Sequence, residues 1–332
     1  MPTPNKIIIS RTDSIGDVML TLPLTGILKQ YFPKIPIVFL AKTYTLPVLK
    51  CCQHIDEIAD WSLVENKSFA EQVKFLKSFK ADTIVHVFPS KQIAKAAKVA
   101  EIKWRIGTGR RAYNLFNCNL KTWFTRKNSN LHEAQLNVKM LQKLGLEKVY
   151  ALLELSKFSE FKNIYTLPDW IKIDPLKKNI ILHPKSKGSA AEWGIPNFNK
   201  LIELLAKENV KVFVTGTAAE EEIIAGQLNL DYSEVSNLLG KLSLQDLIAL
   251  IDATDTIVAA STGPLHIAAA LGKTAIGIYS NRRPIHPGRW APMGENATFV
   301  NFTGTRGEIV KNTDDEVEKI TPREIFNKIL EG

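Results

Sequence analysis

Short apolar runs recur along the chain, separated by polar turns and by stretches with apolar residues at helical spacing. In the first half the runs are KIIIS (6–10), IPIVFLA (35–41), DEIADW (56–61), DTIVHVF (82–88) and KWRIGT (103–108). Near-continuous apolar runs of this length predict strands buried on both faces, as in parallel sheets. SFAEQVKFLKSFK (68–80) repeats its apolar residues every three or four positions and predicts a helix. A basic stretch, 109–130, breaks the rhythm. LHEAQLNVKMLQKLG (131–145) restores it as a helix that Gly145 stops.

The pattern restarts after a polar, proline-bearing segment. Strands are expected at NIILHP (179–184), VKVFVTG (210–216), TDTIVAA (254–260) and TAIGIYS (274–280), with helices at 197–208, 218–228, 243–253 and 263–272. Thr321 and Pro322 are a suitable cap and first-turn pair for a last helix. This alternation predicts an α/β protein with two parallel sheets, each covered by helices on both faces. The expected domains are 1–160 and 179–315, with a linker at 161–178. Residues 316–332 are expected as a C-terminal helix packing back on the first domain. Ligands of doubly wound sheets sit beyond the C-terminal strand ends, so chemistry is sought in the loops that follow strands.

Composition changes the picture only in part. A chain of 332 residues, 45% hydrophobic and 23% charged, suits two ordinary globular cores. No apolar run nears the roughly 20 residues that span a bilayer, and the N-terminus lacks the order of a secretory signal. Cys51, Cys52 and Cys118 form no even framework, which suits a reducing compartment. No CxxC or HExxH spacing offers a metal site. Net charge of +9 favours an anionic partner without choosing among nucleotide, phosphorylated lipid, membrane surface and nucleic acid. A basic recognition helix and an aromatic RNA motif are both missing from the sequence, which disfavours nucleic acid.

Three loops of the second half carry candidate chemistry. In TDTIVAASTGPLHIAAALGK a strand runs into the turn Ser261, Thr262, Gly263, and Pro264 takes the first helical turn. That opening presents free N–H groups and the positive helix end, a phosphate site to which His266 could add a bond. HPKSKGSAAEWGIPNF gathers Lys185, Ser186 and Lys187 around Gly188, which suits pyrophosphate oxygens without being a Walker loop. VTGTAAEE puts Glu220 and Glu221 after Gly216, where a carboxylate can accept ribose hydroxyls or simply complement the helix dipole. Each loop alone also reads as an ordinary cap or solvated turn. Their convergence favours a nucleotide. IGTGRRAY lacks the third glycine of a dinucleotide fingerprint, which disfavours a nicotinamide dehydrogenase.

At the first strand end, RTDSIGDVMLTLP sets Arg11, Asp13, Gly16 and Asp17 before a helix. Gly16 allows close approach and Asp17 can accept a proton; the plain alternative is that Asp13 and Asp17 cap the helix. Pro23 kinks that helix or ends its first segment.

Together, RTDSIGDVMLTLP, HEAQLNVKMLQKLG, ILHPKSKGSAAEWGIPNF, VTGTAAEE, LLGKLSLQDLIALIDATDTIVAASTGPLHIAAALGK and HPGRWAPMG resemble the heptosyltransferase family, glycosyltransferase family 9, nearly end to end. The resemblance implies a GT-B fold: two Rossmann-like domains whose parallel sheets face a central cleft, the C-terminal one holding the sugar nucleotide. It implies an inverting, metal-independent transfer of heptose from ADP-heptose to an inner-core lipopolysaccharide or lipooligosaccharide acceptor, with no cofactor. Carried over by position, the general base is Asp17, and Ser14 falls where the family approaches the acceptor. The donor contacts fall on Thr262, Gly263 and His266, and on Glu220 after Gly216.

Asp13, Arg110 and Arg111 join the acceptor candidates, and Lys185, Ser186, Lys187 and Ser261 the donor candidates. Many relatives carry Asp at Ser261 and Lys at Ala191, so Lys185 or Lys187 is expected to supply the missing cation. The expected partners are an ADP-sugar and an anionic lipid-linked oligosaccharide, met from the cytoplasm at the inner face of the inner membrane. Basic residues of 103–130, with Trp104, Trp123 and Phe124, are candidates to meet that acceptor; a merely solvated basic face is the rival reading. Another nucleotide sugar, or a GT-B sugar-nucleotide epimerase, remain as alternatives.

Overall fold

The first-half runs become strands β1 (Ile7–Ser10), β2 (Ile37–Ala41), β3 (Glu57–Asp60), β4 (Thr83–His86) and β5 (Trp104–Thr108), joined by β6 (Leu120–Thr122). They form one sheet in the order β3-β2-β1-β4-β5-β6, parallel throughout. The second half supplies β7 (Lys178–His183), β8 (Val210–Gly216), β9 (Val235–Leu239), β10 (Thr256–Ala260), β11 (Thr274–Tyr279) and β12 (Ala297–Asn301). Their parallel sheet runs β12-β11-β10-β7-β8-β9. Counted within each half, both sheets follow 3-2-1-4-5-6, the doubly wound order whose ligands sit where the strand order reverses. Those switch points fall between β1 and β4, and between β7 and β10.

This computed structural model describes residues 3–126, 129–186, 188, 190–302 and 316–331. Contacts divide the chain into two units, 1–162 and 163–332, each one continuous segment. Residues 163–178, expected in a linker, therefore belong to the second unit. The C-terminal helix Pro322–Glu331, expected to pack back on the first domain, buries Ile325, Phe326 and Ile329 in the core of its own unit, against the helix Ile195–Leu205.

Local chemistry explains the elements around the switch points. Every residue of β1 is buried, as its apolar run requires. The helix Ile15–Met19 ends before Pro23, and Pro23 then opens a second helix, Pro23–Tyr31, in whose first turn its missing N–H costs nothing. The 131–145 stretch folds as an α-helix, Glu133–Val138, tightened into a 3-10 segment, Lys139–Leu144. Gly145 stops it with φ of 85°, a left-handed conformation that favours glycine.

Candidate active site

Beyond β1 the chain turns with Arg11 directed inward, only 3% exposed. A buried guanidinium requires partners, and this one has four. Nε donates to Asp13 Oδ1 at 2.6 Å, and Nη2 donates to Asp17 Oδ1. Nη1 donates to Asn137 Oδ1 at 3.2 Å and to Glu133 Oε1 at 3.5 Å. Glu133 and Asn137 are four residues apart on the helix Glu133–Val138, so one helix face presents both. Arg126 grips the same pair, donating to Glu133 Oε1 and, at 3.1 Å, to Asn137 Oδ1. Two guanidiniums thus face three carboxylates.

That surplus of carboxylates orders the protonation. Burial alone would lower the Arg11 pKa, but Asp17, Asp13 and Glu133 outweigh it and hold the guanidinium charged. Burial pushes Asp13 up to about 6, against the pull of Arg11 and with added repulsion from Asp17. Asp17 lies in the first turn of Ile15–Met19, where the capping Ser14 Oγ accepts from its N–H at 3.4 Å and donates to its Oδ2 at 2.6 Å. One carboxylate oxygen is fixed by a cation and the other by a hydroxyl, yet 18% of the side chain remains exposed. An oriented, solvent-reachable carboxylate of this kind can accept a proton. The Tyr44 hydroxyl donates to the Asp13 carbonyl at 2.5 Å and closes the loop.

The structure therefore brings Asp13, Ser14 and Asp17 together. Arg110 and Arg111 are exposed on the loop after β5, two strands from β1 in the sheet order, and no hydrogen bond or ion pair among the described residues ties them to this cluster. Sequence reading noted Arg11 in this loop and Arg126 among the basic residues of 103–130 without giving either a part in the cluster, and it missed Glu133 and Asn137. It also missed His86, which ends β4 opposite Ser10 of β1; burial, then Arg105, lowers its pKa to about 4, so the ring is neutral at neutral pH. A charged residue directly after the strand IIIS was the available signal for Arg11.

In the second unit, β10 ends at Ala260 and the turn Ser261, Thr262, Gly263 opens the helix Gly263–Ala270, with Pro264 in its first turn. Thr262 is the cap residue, but its side chain makes no cap bond. Its hydroxyl is buried, 7% exposed for the residue, and lacks a hydrogen-bond partner among the described residues. Such an atom is costly unless something else bonds it. The helix end there offers first-turn N–H groups and positive potential. His266 is buried one turn further on. Ser261 hydrogen-bonds Tyr279, partly offsetting the burial that raises the tyrosine pKa.

The loop after the neighbouring strand β7 is tied to itself. Lys185 Nζ donates to Glu192 Oε2, and Ser186 N–H and Oγ reach Glu192 Oε1, each at 3.1 Å. Burial would raise the Glu192 pKa, but these bonds outweigh it and lower the value. Lys187 lies outside the described residues. Ala191, where the resemblance led us to expect lysine, packs on the second core. After β8, Glu220 is buried and its Oε2 accepts from Thr217 N–H at 2.7 Å and Oγ1 at 3.0 Å, a capping box. That oxygen serves the helix end. Gly216 is small for packing, since a Cβ there would lie 2.8 Å from Leu239 Cδ2. Among the described residues no group of three His, Cys, Asp or Glu is placed to hold a metal ion.

Residues 97–319 match the model of glycosyltransferase family 9 (heptosyltransferase). The chain belongs to glycosyltransferase family 9. This family 9 member is similar to a Haemophilus influenzae protein named "Putative glycosyltransferase", 28% identical over 323 residues that cover 91% of this chain and 90% of that protein. Among solved structures, the glycosyl transferase family 9 protein of Veillonella parvula matches with a TM-score of 0.77 and 16% identity, covering 99% of this chain and 98% of that one. E. coli ADP-heptose LPS heptosyltransferase II matches at 0.74 and 19% identity, covering 98% of each chain. At such identities the likeness establishes the fold. The two doubly wound sheets are those of a GT-B glycosyltransferase.

Proposed function

We propose that this family 9 glycosyltransferase moves heptose from ADP-heptose to an inner-core lipopolysaccharide or lipooligosaccharide acceptor, inverting the anomeric centre, with Asp17 as general base and no required metal. Support for the donor and acceptor classes comes from the likeness to a lipopolysaccharide heptosyltransferase named for ADP-heptose. The observation that carries the base assignment is the buried Arg11 fork, which holds Asp17 at the C-terminal end of β1 with part of its carboxylate exposed.

In this reading an acceptor hydroxyl attacks the anomeric carbon from the face opposite ADP. The new C–O bond forms as the bond to the diphosphate oxygen breaks, through an oxocarbenium-like state. Asp17 takes the hydroxyl proton and ADP keeps the electron pair. The free Thr262 hydroxyl, the N–H groups beginning at Gly263 and His266 meet the charge that grows on ADP. Lys185 would exchange Glu192 for a phosphate oxygen.

The test is ADP release, measured with ADP-heptose against UDP- and GDP-sugars in the presence of acceptor. Only the ADP sugar is expected to turn over. Asp17→Asn keeps donor binding and loses roughly two to four decades of turnover, the usual range for general base assistance. If Asp13→Asn shows that loss while Asp17→Asn is nearly normal, Asp13 is the base instead.

A further inference from the structure

We propose that the helix Ala112–Asn117 and Trp123 form a docking surface for an anionic phospholipid bilayer. The inference rests on the reading above of a lipid-linked acceptor and adds which surface of the first unit meets the membrane.

The short helix is built inside out. Ala112, Leu115 and Phe116, at i, i+3 and i+4, share one face, and all three are exposed, Phe116 by 76%. Polar side chains take the inner side. Asn114 is buried and its Nδ2 donates to the Thr108 carbonyl at 3.1 Å; the Tyr113 hydroxyl donates to the Pro89 carbonyl at 2.8 Å. Burying asparagine while exposing leucine and phenylalanine reverses the ordinary partition, and such contiguous apolar exposure marks an interaction site.

Trp123, directly after β6, is a second exposed apolar side chain of the same segment. It is 66% exposed, yet its ring lies against the backbone, since a Cβ on Gly109 would sit 2.7 Å from ring atoms. The Gly109 N–H donates to the Thr122 carbonyl at 2.9 Å, fixing the ring beside Arg110. An anchored, exposed indole is the side chain that bilayer interfaces select.

Charge names the partner. From Ile102 to His132 the sequence holds Lys103, Arg105, Arg110, Arg111, Lys121, Arg126 and Lys127 but no Asp or Glu. Arg105 and Arg126 are turned inward to carbonyl and carboxylate partners, whereas Lys103, Arg110 and Arg111 are exposed and Lys121 is half-buried. Exposed apolar side chains in a segment that carries exposed cations and no carboxylate fit anionic headgroups above acyl chains.

The experiment is flotation of the full chain with vesicles of phosphatidylglycerol and phosphatidylethanolamine, without donor or acceptor. The protein is expected to float with these and not with phosphatidylcholine, and added salt should weaken the association. Phe116→Ser and, separately, Leu115→Ser should lower vesicle affinity by roughly tenfold or more, because each removes inserted apolar area. Both sites are exposed, so thermal melts should match the parent, as should turnover of a delipidated, water-soluble acceptor. Trp123→Ser gives a second route to the same loss.

Equal flotation with both vesicle types, or undiminished flotation of Phe116→Ser, overturns the proposal. So does RNA binding that these substitutions abolish while vesicles are ignored. Transfer to the soluble acceptor without flotation removes the docking surface and leaves the transferase reading standing. Flotation without transfer does the reverse.

Discussion

Arg11 shows how one buried charge organises its neighbours. Three carboxylates meet two guanidiniums, and burial first, then repulsion from Asp17, raises the Asp13 pKa from 3.8 to about 6 against the pull of Arg11. A folded-state value above the unfolded one means the native protein binds more protons within that window, so stability falls as pH rises through it. A shift of about two units corresponds to at most about 3 kcal/mol. Asp13→Asn keeps an oxygen to accept from Arg11 and removes the surplus charge. It should therefore melt above the parent at about pH 7, and the gap should close towards about pH 4. Thermal melts across that range check it; a gap constant with pH would mean Asp13 carries no such strain. Little of this was legible in the sequence. Asp13 and Asp17 stand near Arg11, but Glu133 and Asn137 are more than 120 residues away, and no local spacing announces a partner that only the fold delivers.

At the level of elements, the strands that apolar runs announced are mostly the buried ones. The unread strands were β6, β9 and β12, and all three are sheet edges. Edge strands are half covered: β9 and β12 each begin with three exposed or half-buried residues, so their patterns lack a continuous apolar run. β6 was further hidden inside the basic stretch. The turn opening Gly263–Ala270 was the reverse case, because Ser-Thr-Gly-Pro is local chemistry and reads directly as a helix start. What the sequence could not show is that the cap hydroxyl makes no cap bond. That yields a prediction with two signs. Thr262→Val keeps the shape and removes an unpartnered buried hydroxyl, so the ligand-free protein should be as stable or more stable. Its affinity for ADP should fall by roughly 10- to 100-fold, the worth of a hydrogen bond to a charged group. Calorimetric titration beside urea denaturation separates the effects. Unchanged ADP affinity would move the nucleotide away from this turn.

Over the whole chain, the two-fold recurrence of the strand–helix rhythm was plain in the pattern, but the placement of the join was not. Residues 163–178 look like a linker because prolines and charges break periodicity, yet they belong to the second unit, where Asp174 and Asn179 bond each other beside β7. The C-terminal helix stays in that unit as well, and Lys178 Nζ reaches the Ile329 carbonyl. Each unit is consequently one unbroken segment with its own sheet and its own core. A segment of about 170 residues lies in the size range of independently folding domains. Residues 163–332, produced alone, should therefore unfold in a single cooperative transition. The loops proposed for the nucleotide, after β7, β8 and β10, are all within it, so ADP should raise its melting point. Binding to the native state alone adds RT ln(1 + [L]/Kd), about 2.7 kcal/mol at 100 times Kd. Thr262→Val in the same segment should flatten that response without lowering the transition measured in the absence of ligand. A segment that melts without cooperativity would show that its core depends on the first 162 residues. A cooperative segment blind to ADP, beside a full chain that responds, would place part of the nucleotide site in the first unit.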